Sequence, residues 1–279
     1  PSFTVSGEKG FYHCFSSGEH GNIFDFIMKT QSLKFGEAVR QLASEAGMQP
    51  YRFTNFDVEK EKRYQTYKKI LKYYSDYHHK IIFGQDPSAL DYLNKRGISK
   101  EIISEFQIGF VPNNSACYEE LSKKFNVKDI LDTGLFYKNQ KYNKFVNRFY
   151  SRIIFPIKNI VGDIIAFGGR IINNNKAAKY INSPETEFYK KGNNLYNINA
   201  AKNSRDTNEV FIVEGYMDVV NLHKFGIKNV VANLGTAMTE RQIDLVWRFF
   251  KNPIICLDGD DSGRKAALRA AERLLPLMK

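Results

Sequence analysis

The sequence predicts an α/β protein built on a parallel sheet with helices packed against it, and three observations carry that prediction. First, three short apolar runs, Val210-Phe211-Ile212-Val213, Asn229-Val230-Val231-Ala232 and Ile254-Ile255-Cys256-Leu257, each give way to a stretch of helical periodicity. Second, a β-α-β-α-β-α series implies crossover connections and hence parallel strands. Third, two of the runs end in acid, Glu214-Gly215-Tyr216-Met217-Asp218 after the first and Asp258-Gly259-Asp260-Asp261-Ser262-Gly263 after the third. Carboxylates at strand ends occupy the usual place of a site in an open α/β sheet. Acids gathered there repel unless a cation neutralises them, and an all-oxygen set favours Mg²⁺ or Mn²⁺. Taken singly, each Asp-Gly is also an ordinary turn and each acid an ordinary helix cap.

The 279 residues leave room for more than one domain, and 43% hydrophobic content supports a core. Lys+Arg number 41 against 30 Asp+Glu, a net charge of +11 that suits a polyanionic partner, most simply nucleic acid. The alternative is a basic surface that serves solubility. Cys14, Cys117 and Cys256 stand far apart, which excludes a disulfide framework and fits a reducing compartment. No apolar run approaches a membrane span, and no signal peptide is visible. The chain opens on Pro1 and stops on Lys279 at the end of a helical pattern, which reads as a fragment.

From the N-terminus, Phe3-Thr4-Val5 and Phe11-Tyr12-His13-Cys14-Phe15 flank a polar turn and predict a hairpin, followed by a loop over 16–21. A piece so small needs a metal or a neighbour to hold it. Residues 23–47 are helical by two apolar stripes, Ile23/Phe24/Ile27/Met28 and Phe35/Ala38/Val39/Leu42, ending at Gly47. The charged stretch through Glu59-Lys60-Glu61-Lys62-Arg63 reads as a mobile linker. A long helix follows from about Tyr64 through Ile70, Tyr74, Tyr77 and Ile81, its tyrosines packing residues rather than a platform for bases. Gly97 stops the next helix and Ser99 caps another; two short helices follow near 116–124 and 127–133.

Between 144 and 170 the pattern predicts a hairpin, Ile153–Ile157 against Ile164–Arg170 with a turn at Gly162-Asp163. Gly168-Gly169 allows close backbone approach to a ligand, or a bulge. Arg148, Arg152 and Arg170 are candidate phosphate ligands, although lone arginines more often make surface ion pairs. Residues 179–192 read as a polar loop in which Lys179, Asn182 and Lys191 could hold phosphates. Thr239-Glu240-Arg241-Gln242 is a capping box that opens the helix of Leu245, Val246 and Phe249.

On these residues the chain strongly resembles the bacterial DnaG-type DNA primases. Glu214 to Val219 is similar to the glutamate motif of a Toprim domain, and Asp258 to Gly263 to its Asp-x-Asp motif. Arg148–Arg170 resembles the basic hairpin ahead of that domain, Lys179–Thr186 the loop after it, Arg96-Gly97 with Phe106–Phe110 the start of the polymerase domain, and Pro1–Gly21 the second half of a zinc ribbon. The organisation implied is a partial zinc-ribbon-like domain with helices over 1–50, a linker over 51–63, the mixed α+β basic part of an RNA polymerase domain over 64–206, and a truncated Toprim subdomain over 207–279.

The resemblance implies synthesis of short RNA primers from NTPs on a single-stranded DNA template by metal-dependent nucleotidyl transfer. Glu214, Asp258 and Asp260 are the implied catalytic and metal-binding residues, with Asp218 and Asp261 as further ligands or capping groups, and Mg²⁺ or Mn²⁺ as cofactor. Arg148, Arg152, Arg170, Lys179, Asn182 and Lys191 are the implied template or triphosphate contacts. A replicative helicase and a single-strand-binding protein are implied partners, in the cytoplasm or nucleoid of a bacterium or a bacterial-type organelle, with no membrane contact. The family's zinc site takes two ligands upstream and then Cys-x-x-Cys; here Cys14 matches the first of the pair and Ser17 replaces the second, so Zn²⁺ is not expected to bind stably. The family's further acids and its helicase-binding domain fall beyond Lys279, leaving the acidic site incomplete. Two other readings stay open: a Toprim nuclease or topoisomerase fragment, and a non-catalytic single-strand-binding module.

Overall fold

Strand β1 (Phe3–Ser6) pairs antiparallel with β2 (Phe11–Cys14), which pairs with β3 (His20–Asn22). These strands belong to a computed structural model that describes residues 2–7, 10–48, 55–84, 87–141, 143–172, 177–204, 208–235 and 238–274. It divides into two units, Pro1–Glu61 and Lys62–Lys279. In the first, the expected hairpin is present, with the tip at 8–9 outside the described residues, and the expected loop over 16–21 ends in the third strand. The helical region expected over 23–47 from two apolar stripes is two helices, one on each stripe, α1 (Ile23–Thr30) and α2 (Phe35–Glu45). Asn22 caps α1 by accepting from Phe24 N at 2.8 Å and Asp25 N at 3.1 Å, while Asp25 in turn accepts the Asn22 N–H. Phe3, Tyr12 and Phe26 form an aromatic trio with centroids 5.2–5.9 Å apart.

Helix α3 (Asn55–Ile81) starts well before Tyr64, so residues 55–63 are helical where a linker was expected; 51–54 of that linker lie outside the described residues. Alternating charge suits a solvated helix face as well as a coil, and the sequence does not separate the two. Farther on, Tyr67, Ile70, Leu71, Tyr74 and His78 make one buried stripe, as helical spacing requires. The tyrosines pack: Tyr67 donates its hydroxyl to Ile165 O at 2.7 Å and Tyr74 to Asn147 Oδ1 at 2.8 Å.

After α3 come α4 (Ser88–Asn94) and α5 (Lys100–Glu105), the latter capped by Ser99, then α6 (Ala116–Ser122) and α7 (Val127–Asp132). A four-stranded antiparallel sheet runs in the order β4 (Gly109–Val111), β7 (Arg152–Lys158), β8 (Ile164–Ile171), β9 (Tyr180–Asn182), and β5 (Phe136–Asn139) pairs separately with β6 (Lys144–Asn147). Strand β9 lies in the stretch expected to be loop. Its three residues carry no apolar alternation, and it is a strand because β8 supplies the partner.

The parallel sheet is present in the order β11 (Val230–Ala232), β10 (Glu209–Val213), β12 (Asn252–Ile255). A short α8 (Ile198–Ala201) precedes it; α9 (Tyr216–Lys224), α10 (Glu240–Trp247) and α11 (Asp261–Leu274) follow its strands in turn. The last strand ends two residues before the apolar run does, leaving Cys256-Leu257 as its exit. Alternation sorts side chains between cores. On β7, Ile153, Phe155 and Ile157 join Val213, Tyr216, Val219 and Val220 of the parallel-sheet layer, while Ile154 faces Tyr74 and Leu71 of α3. Burying side chains of this size is worth roughly 1.5–3 kcal/mol each, so this shared core holds the four-stranded sheet and the parallel sheet together. Among the described residues, no helix is long and apolar enough to cross a membrane.

Candidate functional site

Two walls of opposite charge form one cleft of about 510 Å³. The acidic wall is the carboxyl edge of the parallel sheet: Glu214 follows β10, Asp218 lies in the first turn of α9, and Asp258 follows β12. The basic wall carries Arg170 at the end of β8, Lys179 and Tyr180 at β9, and Arg96 after α4. Glu214 Oε1 accepts the Asp258 N–H at 3.3 Å, tying together the exits of adjacent strands. Asp218 Oδ2 accepts the Gly215 N–H at 2.9 Å and so caps α9. Partial burial, and then the nearby Asp258 carboxylate, push Asp218 above the usual carboxylate range, against the pull of the Gly215 N–H.

Opposite, the Arg170 guanidinium lies 5.3 Å from the Tyr92 ring centroid and 4.9 Å from that of Tyr180, and it donates to the Tyr180 hydroxyl. Arg96 also stacks on the Tyr92 ring, 4.8 Å from its centroid. Arg170 is 8% exposed, its Nε has no hydrogen-bond partner, and it forms no ion pair among the described residues. Rings stabilise a guanidinium by about 0.5–2 kcal/mol without neutralising it, which leaves a cation suited to a phosphate.

The cleft thus gathers Arg170, Lys179, Asn182, Glu214, Asp218 and Asp258, and leaves other candidates outside. Arg148 donates Nε to Gly134 O at 2.8 Å and stacks over Tyr137. Arg152 is buried against the carbonyls of Gly169 and Lys179, at 3.5 and 3.4 Å. Lys191 sits on a 3₁₀ turn, its backbone bonded to Glu185 and Gln242. Asp260 accepts the Gly263 N–H at 2.7 Å as the cap of α11, and Asp261 is exposed in that helix's first turn. The Gly168-Gly169 pair is no bulge, since the β7–β8 register shifts only at Ile157/Lys158. The close approach there is to Tyr216 and Phe149. Sequence reasoning missed Arg96 as a site residue; Arg96-Gly97 reads locally as a helix end, and its resemblance to the start of the polymerase domain was the signal that could have found it.

The donor set fits a hard divalent cation: three carboxylates share one edge, and burial, with a smaller push from Asp258, raises the Asp218 carboxyl. Among the described residues no three His, Cys, Asp or Glu side chains are already drawn together to metal-holding separation. The described residues of the N-terminal unit do not by themselves assemble four zinc ligands. Cys14 is the one thiol of this unit, its Sγ lies 3.1 Å from Ser16 Oγ, and Ser17 stands in place of a second thiolate.

Residues 208–278, which hold the parallel sheet and its acidic edge, match the Toprim domain, so the chain is a Toprim-containing protein. The chain belongs to the family described as DNA primase catalytic core, N-terminal domain, which matches residues 59–202, over half its length. Residues 1–58 match the CHC2 zinc finger. The chain is 40% identical over 292 residues to the DNA primase of Escherichia coli K12 and 41% identical over 290 residues to that of Pasteurella multocida, in each case across 100% of this chain. It spans about half the length of these relatives, 48% and 49%. Among solved structures, it is similar to the zinc-binding and RNA polymerase domains of the Aquifex aeolicus primase (TM-score 0.72, 33% identity, 99% of this chain and 66% of that one). It is also similar to a DnaG primase catalytic domain bound to ssDNA (TM-score 0.71, 37% identity, 78% of this chain and 69% of that one).

Proposed function

We propose that the chain is the catalytic part of a DNA primase, which joins NTPs into short RNA primers on single-stranded DNA. The observation that carries this reading is the facing of Glu214, Asp218 and Asp258 by Arg170, Lys179 and Arg96 across one cleft. The acids would hold Mg²⁺ or Mn²⁺, which when bound stabilises the attacking and leaving oxygens of phosphoryl transfer. Asp260 joins them as a proposed ligand through the carboxylate oxygen that does not cap α11. Arg170, buried and without an ion-paired carboxylate among the described residues, attracts the triphosphate, and Lys179 and Arg96 add charge that fixes its orientation. The likeness to a primase domain bound to ssDNA supports a single-stranded template as partner. Arg148, Arg152 and Lys191, outside the cleft, retain a proposed part in holding backbone or strands around it. The helicase, the single-strand-binding protein and a cytoplasmic, nucleoid-associated setting come with the family resemblance, as does the division at 1–50, 51–63, 64–206 and 207–279. Zinc is not proposed as a resident ion of this sequence.

A primer-synthesis assay on the full-length protein, with labelled NTPs, Mg²⁺ or Mn²⁺ and a single-stranded template, separates the readings. Short RNA products that depend on the template support it. Template cleavage without NTPs points to a Toprim nuclease, and binding without product to a single-strand-binding module.

A further inference from the structure

Asn182 lines the cleft, yet both ends of its amide are engaged by protein. Its Oδ1 accepts the Tyr216 hydroxyl at 2.6 Å and its Nδ2 donates to Leu234 O at 2.7 Å. One side chain on β9 therefore ties the basic wall to the start of α9, two residues after Glu214, and to the loop after β11. Packing holds Tyr216 in position to donate. Its ring stacks on Phe155 of β7 at 5.4 Å and 10°, and meets Tyr196 edge-on at 4.8 Å. An amide oxygen can only accept, so the Tyr216 hydroxyl is the donor in this bond. Gly168 pairs directly with Asn182 across β8 and β9. A Cβ at Gly168 would stand 2.6 Å from the Tyr216 hydroxyl and closer still to its ring, so the missing methyl is the space in which the ring lies.

We propose that Gly168, Tyr216 and Asn182 form a clamp that sets the span between the cationic and acidic walls, and that Asn182 is a positioning residue rather than a nucleotide ligand. The clamp rests on the primase reading for its kinetic consequence alone. Reaction rates in such a site depend steeply on alignment, because a shift on the order of 1 Å can cost about a hundredfold.

Tyr216→Phe, Asn182→Ala and the double variant of the full-length protein test this, each followed by melting temperature, NTP titration of primer synthesis, and hydrogen–deuterium exchange. Each single variant is expected to melt within a few degrees of the parent and to lose roughly ten- to a hundredfold in kcat, with NTP KM changed by less than about threefold. The double variant should be no worse than the weaker single, because both remove one linkage. Peptides covering 180–182 and 233–235 should exchange faster in all three. Should Tyr216→Phe melt early, Asn182→Ala, which leaves the ring packing in place, carries the same readouts. The clamp is overturned by parental kcat and exchange in Tyr216→Phe, by additive losses, or by a large rise in KM confined to Asn182→Ala, which would make Asn182 a direct ligand. If the parent makes no primers, the functional reading falls and exchange alone decides the clamp: acceleration supports it and parental exchange overturns it.

Discussion

Glu214 accepts the backbone N–H of Asp258 across the ends of two adjacent parallel strands, so the acids that sequence separates by 44 positions are held as one edge. Behind that edge, α11 approaches so closely that a Cβ on Gly263 would collide with the Asp258 carbonyl oxygen and stand 2.8 Å from its carbon. Gly263 lies in a helix, where alanine is ordinarily favoured by about 1 kcal/mol. Gly263→Ala is expected to reverse that sign. It should lower the melting temperature and cut primer synthesis by about tenfold or more while template affinity holds. A stabilised, fully active Gly263→Ala protein would mean that the close approach does not position Asp258.

Asp218 links pH to cation binding. Its carboxyl titrates above the ordinary range in the folded chain, so the folded state favours the proton more than the unfolded state does. That contribution to stability is present below the unfolded pKa and lost as pH rises through the folded one. At neutral pH the ionised group therefore opposes folding, and a divalent cation should relieve the opposition. Melting curves should show a larger Mg²⁺-induced rise at about pH 7.5 than at about pH 5, and a smaller rise in Asp218→Asn at the higher pH. A rise independent of both pH and Asp218 would remove this carboxylate from the cation site.

His78 provides a second pH dependence, of the opposite sign. Buried on α3, with Nδ1 2.9 Å from Tyr74 O, it is pushed down to about 4 by burial. Stability is then complete above about pH 6.5 and falls as pH drops toward about 4, by about 2 kcal/mol at pH 5. Urea unfolding at about pH 7.5 and about pH 5 measures the loss. His78→Gln, which cannot charge, should lose less between those two conditions, and an equal loss in parent and variant would assign the acid sensitivity elsewhere.

The parallel sheet was legible because β-branched runs such as Val230-Val231-Ala232 are buried on both faces and stand out from their polar flanks. Its acidic ends were legible for the same reason. Strand β9 was not, since Tyr180-Ile181-Asn182 gains its conformation only from β8. Nor could sequence sort the cations. Arg148 and Arg170 read alike, but Arg148 is spent on the Gly134 carbonyl whereas Arg170 enters the cleft between two tyrosine rings. Arg96 reaches that cleft from the far end of a surface helix, and nothing local announces it.

Ser17 is where the N-terminal unit departs from the family pattern, and a hydroxyl is a much weaker zinc ligand than a thiolate. Ser17→Cys in the full-length protein is expected to raise zinc retention by on the order of tenfold or more in competition with a chelator. Identical zinc content and retention in parent and variant would show that position 17 takes no part in metal binding.

Asp260 separates capping from chemistry. Its carboxylate caps α11 through Gly263 N, a role asparagine fills equally well. Asp260→Asn should keep the parental melting temperature and still lose primer synthesis, whereas Asp260→Ala should lose about 1 kcal/mol of stability as well. Full synthesis in Asp260→Asn would confine this acid to the cap.

Asp258→Asn in the full-length protein puts the acidic edge to its most direct test, with primer synthesis and template affinity measured on the same preparation. The substitution keeps the backbone N–H that Glu214 accepts and removes one charge from the edge. Synthesis is expected to fall by at least about a hundredfold while affinity for single-stranded DNA stays within about twofold of the parent. Parental synthesis by Asp258→Asn, or a loss of synthesis matched by an equal loss of DNA binding, would contradict a catalytic acidic edge.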